Sequence, residues 1–304
     1  MPGAFAHITA ANLATENNAL MAMDIPTKAK LILSTKQKYV ELGCVSPDYP
    51  YLAVGQSEQN KWADLMHYER TGEIIKAAIA YCQTLDGEAQ EKCFAWLCGY
   101  MSHVAADITI HPVVELKVGP YEQNQTAHRD CEMHQDSFIW ERLNLGEIGH
   151  ADRVKLNIGS CTNADGTFDR DIQSIWQHIL ALVHTDYSND VAPDFEAWHD
   201  GFQLVVDSVE EGYRLFPIAR HVAAGRGLFY PRKDEINQDY IEHLTTPDTP
   251  MHYNEIFGKA VDNIRYYITI VANAVFERKA YGEIRNWNLD TGKDESGHLT
   301  AWER

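Results

Sequence analysis

The sequence predicts an all-α fold with long irregular loops. Apolar residues recur at the 3.6-residue period of an amphipathic helix through most of the chain, and the alternation typical of a strand is nearly absent, with at most a short piece at about 154–158. Hydrophobic residues make up 45% and charged residues 23% of the 304 residues, which is the composition of a globular protein. We therefore expect a single large helical domain over residues 1–304.

Helices are predicted in both halves of the chain, and no internal repeat or low-complexity tract separates them. The first begins at Pro26 and is expected to end at Gly43, because proline is favoured in a first turn and glycine at a C-terminus. The predicted helices lie at about 26–42, 71–84, 91–108, 127–142, 172–184, 195–224 and 253–281.

The string SPDYPY at 46–51 contains two prolines within four residues. Proline lacks an N–H and fixes φ, so we expect a stiff loop here that holds Asp48 in a defined position. Asp48, His7 and His67 are therefore candidate ligands in loops or at helix ends. Each is unremarkable by itself, since single histidines in a chain with 14 of them are most often ordinary hydrogen-bonded residues.

Charge and composition exclude several classes of protein. Asp and Glu number 44 against 26 Lys and Arg, and the net charge of −18 disfavours nucleic acid and anionic membrane surfaces as partners. The most apolar stretch, at 266–276, is about half the length of a membrane-spanning helix, so none is predicted. The six cysteines form no CxxC pair and are expected to be reduced core residues.

Three ligand-type residues share one helical face. His103, Asp107 and His111 are spaced four apart, so their side chains converge if the helix continues, although Pro112 is expected to end it. Two imidazoles and a carboxylate on one face are typical of a zinc site. The neighbouring residues are mostly apolar, which favours a buried metal site over a surface ion pair.

His128 and Glu132 form a second pair with the same spacing. Taken alone, this pair is interpreted as part of a solvated helix face, because neighbours such as Gln135 and Asp136 are polar. His134 lies six residues from His128 and is interpreted as a surface histidine.

In order along the chain, the strings GAFAHI, SPDYPYL, LMH, GYMSHVAADITIHP and HRDCE resemble the zinc-dependent phospholipase C family. That family includes secreted bacterial phospholipases C and the catalytic part of glycosylphosphatidylinositol-specific phospholipase D, and it shares its fold with fungal single-strand nucleases. The resemblance covers about residues 2–136. It implies a helical bundle with up to three zinc ions in a cleft, a metal-site half at about 2–145, and helices at about 170–290 that complete the bundle.

The resemblance also implies a role for each candidate ligand. Removal of Met1 would leave the Pro2 amine to complete the third metal site, and Tyr49 matches a substrate-binding tyrosine of the choline pocket. Asp64 stands where the secreted enzymes have an aromatic residue. The implied zinc ligands are Asp48, His67, His103 and Asp107 for one ion, His111, His128 and Glu132 for a second, and His7 and Asp107 for a third.

The function implied is a zinc-dependent phosphodiesterase that hydrolyses phospholipids at a membrane surface, with phospholipase C or D regiochemistry. A metal-activated water would attack phosphorus, with Asp48 as the general base. Two alternatives stay open: a nuclease of the same fold, which the acidity disfavours, and a non-catalytic metal-stabilised effector that binds a protein partner. The first 18 residues do not resemble a secretory signal, so we expect a cytoplasmic protein or one exported by a signal-independent secretion system.

Overall fold

The computed structural model describes residues 3–143, 152–213 and 230–304. These residues contain no β-strand, and their extended pairing is limited to three isolated bridges. The prediction of an all-α fold is confirmed. No helix in the described ranges is long and apolar enough to cross a membrane.

The α-helices of the described residues are numbered here in chain order, and five short 3₁₀ helices accompany them. The 3₁₀ helices are Ser46–Leu52, Ser57–Gln59, Glu141–Leu143, Lys233–Glu235 and Gln238–Tyr240. The α-helices are α1 (Ala4–Ala14), α2 (Asn17–Ala22), α3 (Thr27–Thr35), α4 (Gln37–Val45), α5 (Asn60–Tyr68), α6 (Thr71–Cys82), α7 (Gly87–Val118), α8 (Tyr121–Trp140), α9 (Asp152–Gly159), α10 (Arg170–Val183), α11 (Thr185–Asp190), α12 (Phe195–Tyr213) and α13 (Tyr253–Glu277).

Helix α7 forms the centre of the core. Every residue from Cys93 to Val114 is buried, because other helices surround α7 on all sides. Its main neighbours are α4 and α13, with α1, α6, α8 and α10 also in contact. A helix that is apolar all round requires such an enclosed position, so the polar residues of α7 are also enclosed.

The predicted helix at 26–42 is in fact two helices, α3 and α4, separated at Lys36, where the backbone leaves the helical region. Gly43 does not end α4, which continues to Val45. Instead, Gly43 allows α4 to cross α7 closely, since a Cβ there would lie 2.1 Å from the Trp96 carbonyl oxygen. Gly99 makes the reciprocal contact, 2.1 Å from the carbonyl oxygen of Val40.

The prediction that Pro112 ends its helix is wrong, since α7 runs on to Val118. Proline cannot donate to the carbonyl four residues earlier, which is that of Ile108. Gly292 lies against this point, where an added Cβ would be 2.6 Å from Pro112 Cγ and 2.7 Å from Ile108 O. Close packing of the C-terminal loop therefore accompanies the proline, and α7 stays continuous through its three ligand-type residues.

Two further local predictions are corrected. Residues 46–51 are not an irregular loop but part of the 3₁₀ helix Ser46–Leu52, whose first turn accepts Pro47 without loss of a hydrogen bond. The possible strand at 154–158 lies in α9. There Arg153 and Asn157, one turn apart, both donate to the Glu41 carboxylate at 2.9 Å.

Helices α1, α2 and α5 were not predicted. Eight of the eleven residues of α1 are buried. The helix therefore has no polar face, and its sequence lacks the 3.6-residue alternation of apolar and polar residues by which a helix is predicted.

Helix α13 ends at Glu277 rather than near 281, and Arg278 follows with a positive φ of 58°. The part of the predicted helix 195–224 beyond Tyr213 lies outside the described residues, and the single-domain extent stays a prediction. The six cysteines are all buried and free, as predicted.

Candidate metal centre

Five elements bring the predicted ligands to one region around the middle of α7. The 3₁₀ helix Ser46–Leu52 supplies Asp48, and the last turn of α5 supplies His67. The first turns of α1 supply His7, in a helix rather than in the segment before one. Helix α7 supplies His103, Asp107 and His111, and α8 supplies His128 and Glu132.

One group of donor atoms comprises Asp48, His67 and His103, whose donor atoms all lie within 4.8 Å of one another. His67 Nε2 is 3.3 Å from Asp48 Oδ1. The same nitrogen is 3.4 Å from His103 Nε2. These three residues can therefore share one ion.

A second group comprises His7, His103 and Asp107, again within 4.8 Å. Asp107 Oδ1 lies 3.3 Å from His7 Nε2, and Asp107 Oδ2 lies 3.0 Å from His103 Nε2. The His7 and His103 rings stack with their centroids 3.9 Å apart and their planes at 10°. Asp107 thus offers one oxygen to each histidine.

His111, His128 and Glu132 are adjacent but more widely spaced. Glu132 Oε1 is 3.8 Å from both His111 Nε2 and His128 Nδ1, and His111 Nε2 is 4.0 Å from Asp107 Oδ1. In the described part of the chain these three do not form another group within 4.8 Å.

The interpretation of α8 as a solvated face is wrong, because its ligand-bearing face is buried. His128 and Glu132 are 2% and 7% exposed, and Gln135 and Asp136 are buried as well. His134 is also not a surface residue, since its Nδ1 accepts a hydrogen bond from the backbone N–H of Asn237 at 3.0 Å. Packing of α8 against α1, α7 and the segment 237–240 covers these polar side chains.

Four of the histidines are oriented by backbone carbonyls, which fix the tautomer when the ring is neutral. The second nitrogen of each ring then keeps a bare lone pair. The donors and acceptors are His67 Nδ1 to Ala63 O at 2.7 Å, His103 Nδ1 to Cys44 O at 2.9 Å, His111 Nδ1 to Leu289 O at 2.6 Å, and His128 Nε2 to Gly119 O at 2.6 Å.

These acceptors fit a zinc ion. The Nε2 atoms of His67 and His103 face each other at 3.4 Å, and within the described residues neither oxygen of Asp107 has a hydrogen-bond partner of good geometry. Buried acceptors left in this way carry a large desolvation cost unless a cation lies between them. Tetrahedral zinc with bonds of roughly 2.0–2.1 Å places its ligand atoms about 3.3 Å apart, close to the separations found here.

The charges of the centre favour a cation in the same place. Burial acts to raise the pKa of Asp107, but His103, His111 and His7 outweigh it and hold this pKa well below its usual value. Burial is likewise outweighed at Asp48, whose pKa is lowered by His103 and His67. Burial acts to lower the pKa of His103, but Asp107 and Asp48 raise it to about 8. Two ionised carboxylates thus attract a positive charge at the donor nitrogens.

The prediction that Tyr49 binds substrate disagrees with the structure. Tyr49 is completely buried and stacks on Phe202, so it belongs to the core rather than to the rim of a cleft. Tyr51 is instead 36% exposed, and its ring lies 6.2 Å from that of His67. Its hydroxyl donates to Asp64 Oδ1 at 2.8 Å.

The C-terminal loop adds the carboxylate of Asp290, which is not among the ligands predicted from the sequence. Asp290 Oδ1 lies 3.9 Å from His111 Nδ1. Burial and the neighbouring Asp290 carboxylate raise the pKa of Tyr68. The neighbouring Leu289 N–H donates to the His67 carbonyl at 2.9 Å, so the loop contacts two ligand-bearing elements. Asp290 lies in the string NWNLDTG, but nothing in the spacing of this string predicts a contact with α7. Pro2 lies outside the described residues.

A family model described as zinc dependent phospholipase C matches residues 6–186, which is more than half of the chain and includes all eight ligand candidates from His7 to Glu132. No curated protein and no solved structure matched the chain.

Proposed function

The chain belongs to the zinc-dependent phospholipase C family, and we propose that it hydrolyses phosphodiester bonds of phospholipids with zinc bound at the candidate metal centre. The observation that carries the proposal is the buried set of acceptor atoms around Asp107, whose separations suit zinc. Zinc, when bound, lowers the pKa of a water molecule and neutralises charge on the phosphoryl oxygens.

We assign up to three zinc ions to the centre. Asp107 is shared between the first and third, because its two oxygens face different histidines. The Pro2 amine would complete the third set after removal of Met1. The first set is Asp48, His67, His103 and Asp107, the second is His111, His128 and Glu132, and the third includes His7 and Asp107.

Asp48 is the proposed general base as well as a ligand. Its side chain is 19% exposed, whereas that of Asp107 is fully buried between histidines. A general base must reach the water that attacks phosphorus, which favours the more exposed Asp48. The lowered pKa of Asp48 keeps this carboxylate ionised, which a zinc ligand requires.

The first test combines metal analysis with a hydrolysis assay. Protein purified without chelator is analysed by inductively coupled plasma mass spectrometry and incubated with mixed phospholipids. We expect about three zinc ions per chain, and we expect Asp48→Asn to lower kcat by about 10²–10⁴-fold, the usual contribution of a general base. Asp262→Asn, on the exposed face of α13, is the matched control and should retain both zinc and activity.

The products decide the regiochemistry. Diacylglycerol with a phosphomonoester indicates phospholipase C chemistry, and phosphatidate with a free alcohol indicates phospholipase D chemistry. Full zinc content with no turnover of lipids or single-stranded DNA would contradict the catalytic proposal and favour a metal-stabilised binding protein.

A further inference from the structure

His7 differs from the other histidines of the centre in how its ring is held. His67, His103, His111 and His128 each donate to a backbone carbonyl. Both ring nitrogens of His7 lack a hydrogen-bond partner of good geometry within the described residues. Apart from stacking on His103 and the 3.3 Å approach of its Nε2 to Asp107 Oδ1, the position of His7 therefore depends on where the backbone of α1 lies.

The start of α1 is fixed by a residue of α8. Gly3 precedes the helix and offers no side-chain cap of its own. Asp136 supplies the missing acceptors from 130 residues away: its Oδ1 accepts the Ala6 N–H at 2.9 Å, and its Oδ2 accepts the Phe5 N–H at 3.3 Å. A side-chain acceptor at this position is the usual cap for the N–H groups of a first helical turn.

The surrounding packing leaves little room for α1 to shift. A Cβ on Gly3 would lie 1.9 Å from Asp136 Oδ2, so only glycine fits against the cap. The Phe5 ring packs edge-on against Trp140 and Tyr230, with both centroid distances 5.0 Å. Burial raises the pKa of Asp136 to about 8, and the Ala6 and Phe5 hydrogen bonds oppose this shift. A carbonyl oxygen remains available to the turn in either protonation state.

We propose that Asp136 is a positioning residue, which caps the first turn of α1 and thereby holds His7 against Asp107. This inference rests on the proposed function, because it gives His7 a role as a metal ligand. Asp136 follows His128 and Glu132 at four-residue spacing on the same face of α8. One helix face therefore carries two proposed ligands and the cap that places a third.

The test is a zinc titration of the full-length, metal-free protein by calorimetry. Asp136→Ala should weaken the binding of one zinc equivalent by about tenfold, the usual net effect of losing one buried hydrogen bond at the start of α1. Asp136→Asn keeps one acceptor oxygen and should restore part of the affinity. Gly3→Ala should resemble Asp136→Ala because its Cβ collides with the cap.

Two variants control for general destabilisation. Asp169 is also a buried aspartate that caps a helix, accepting the Asp171 and Ile172 N–H groups at the start of α10. Asp169→Ala should therefore lower stability without selective loss of a zinc ion. Gly258→Ala, with nothing within 4 Å of the added Cβ, controls for Gly3→Ala. Equal zinc affinities in Asp136→Ala and wild type, or the same loss in Asp169→Ala, would overturn the proposal.

Hydrogen exchange of the metal-free protein separates this inference from the zinc proposal. Asp136→Ala should speed exchange at the Phe5 and Ala6 amides more than at α10, whether or not zinc binds. Unchanged exchange at these amides would overturn the positioning role. If the wild type bound no zinc, the zinc proposal would fail, and faster exchange would still support the cap.

Discussion

His103 contacts more of the centre than any other single residue described above. Its Nδ1 donates to the Cys44 carbonyl, and its Nε2 faces both Asp107 and His67. Without a metal, a proton on Nε2 can supply the positive charge that the carboxylates favour, which explains the raised pKa of His103. Proton and zinc therefore compete for the same lone pair.

This competition predicts proton release on zinc binding. At pH 7 the metal-free His103 ring, with a pKa of about 8, is mostly protonated, so zinc should displace close to one proton from it. Release from His103 should decline as pH rises past 8. Calorimetry in buffers of different ionisation enthalpy measures the number of protons released per zinc ion bound. The His103→Gln variant should lack the proton that His103 releases.

The same shift affects the stability of the metal-free fold. Because the pKa of His103 in the folded protein is above the 6.5 of an unfolded histidine, the stability that its protonation contributes is fully present below pH 6.5 and is lost as pH rises through about 8. An NMR titration of the ring that gave a pKa at or below 6.5 would contradict both expectations.

At the scale of elements, the crossing of α4 and α7 determines where several ligands lie. Gly43 and Gly99 allow the two helix backbones to touch. The next residue, Cys44, orients His103 through its carbonyl, and the chain then leads into the 3₁₀ helix that carries Asp48. The spacing between two proposed ligands thus depends on a glycine contact.

Gly43→Ala should therefore destabilise the fold and weaken zinc binding together. The added Cβ would lie 2.1 Å from the Trp96 carbonyl oxygen, and overpacking of this kind costs about 1–3 kcal/mol. Chemical denaturation measures the free energy of unfolding, and a zinc titration measures the affinity. Gly258→Ala in α13 is the control and should stabilise by up to about 1 kcal/mol, since alanine is the better helix former. An unchanged free energy of unfolding in Gly43→Ala would contradict the close crossing of α4 and α7.

At the scale of the whole molecule, the net charge of −18 influences which lipid surface the protein approaches. We expect weaker binding to vesicles of phosphatidylcholine mixed with phosphatidylserine than to phosphatidylcholine alone at low ionic strength. The difference should shrink in high salt, because screening removes long-range repulsion. Vesicle sedimentation with the Asp48→Asn variant measures binding without substrate turnover. Stronger binding to the anionic vesicles would show that a local basic surface outweighs the overall charge.

Much of the metal centre could be predicted because several of its ligands lie within a few residues of one another on one helix. The spacing of His103, Asp107 and His111 places them on one helix face wherever that helix lies, and apolar neighbours indicate burial. The environment of α8 was not predictable in this way. Polar residues such as Gln135 and Asp136 suggest solvent, and they are buried only because α8 packs against α1, α7 and the 3₁₀ helix Gln238–Tyr240.

By itself, the sequence determined the helical class and the kinds of ligand, since both follow from residue type and short-range period. The tertiary structure decided which atoms meet and how they are held. The Cys44 carbonyl reaches His103 across 59 residues, Asp136 reaches Ala6 across 130, and the Leu289 carbonyl reaches His111 across 178. No short-range pattern encodes such contacts, because they exist only after the helices have packed and the backbone groups have lost their water.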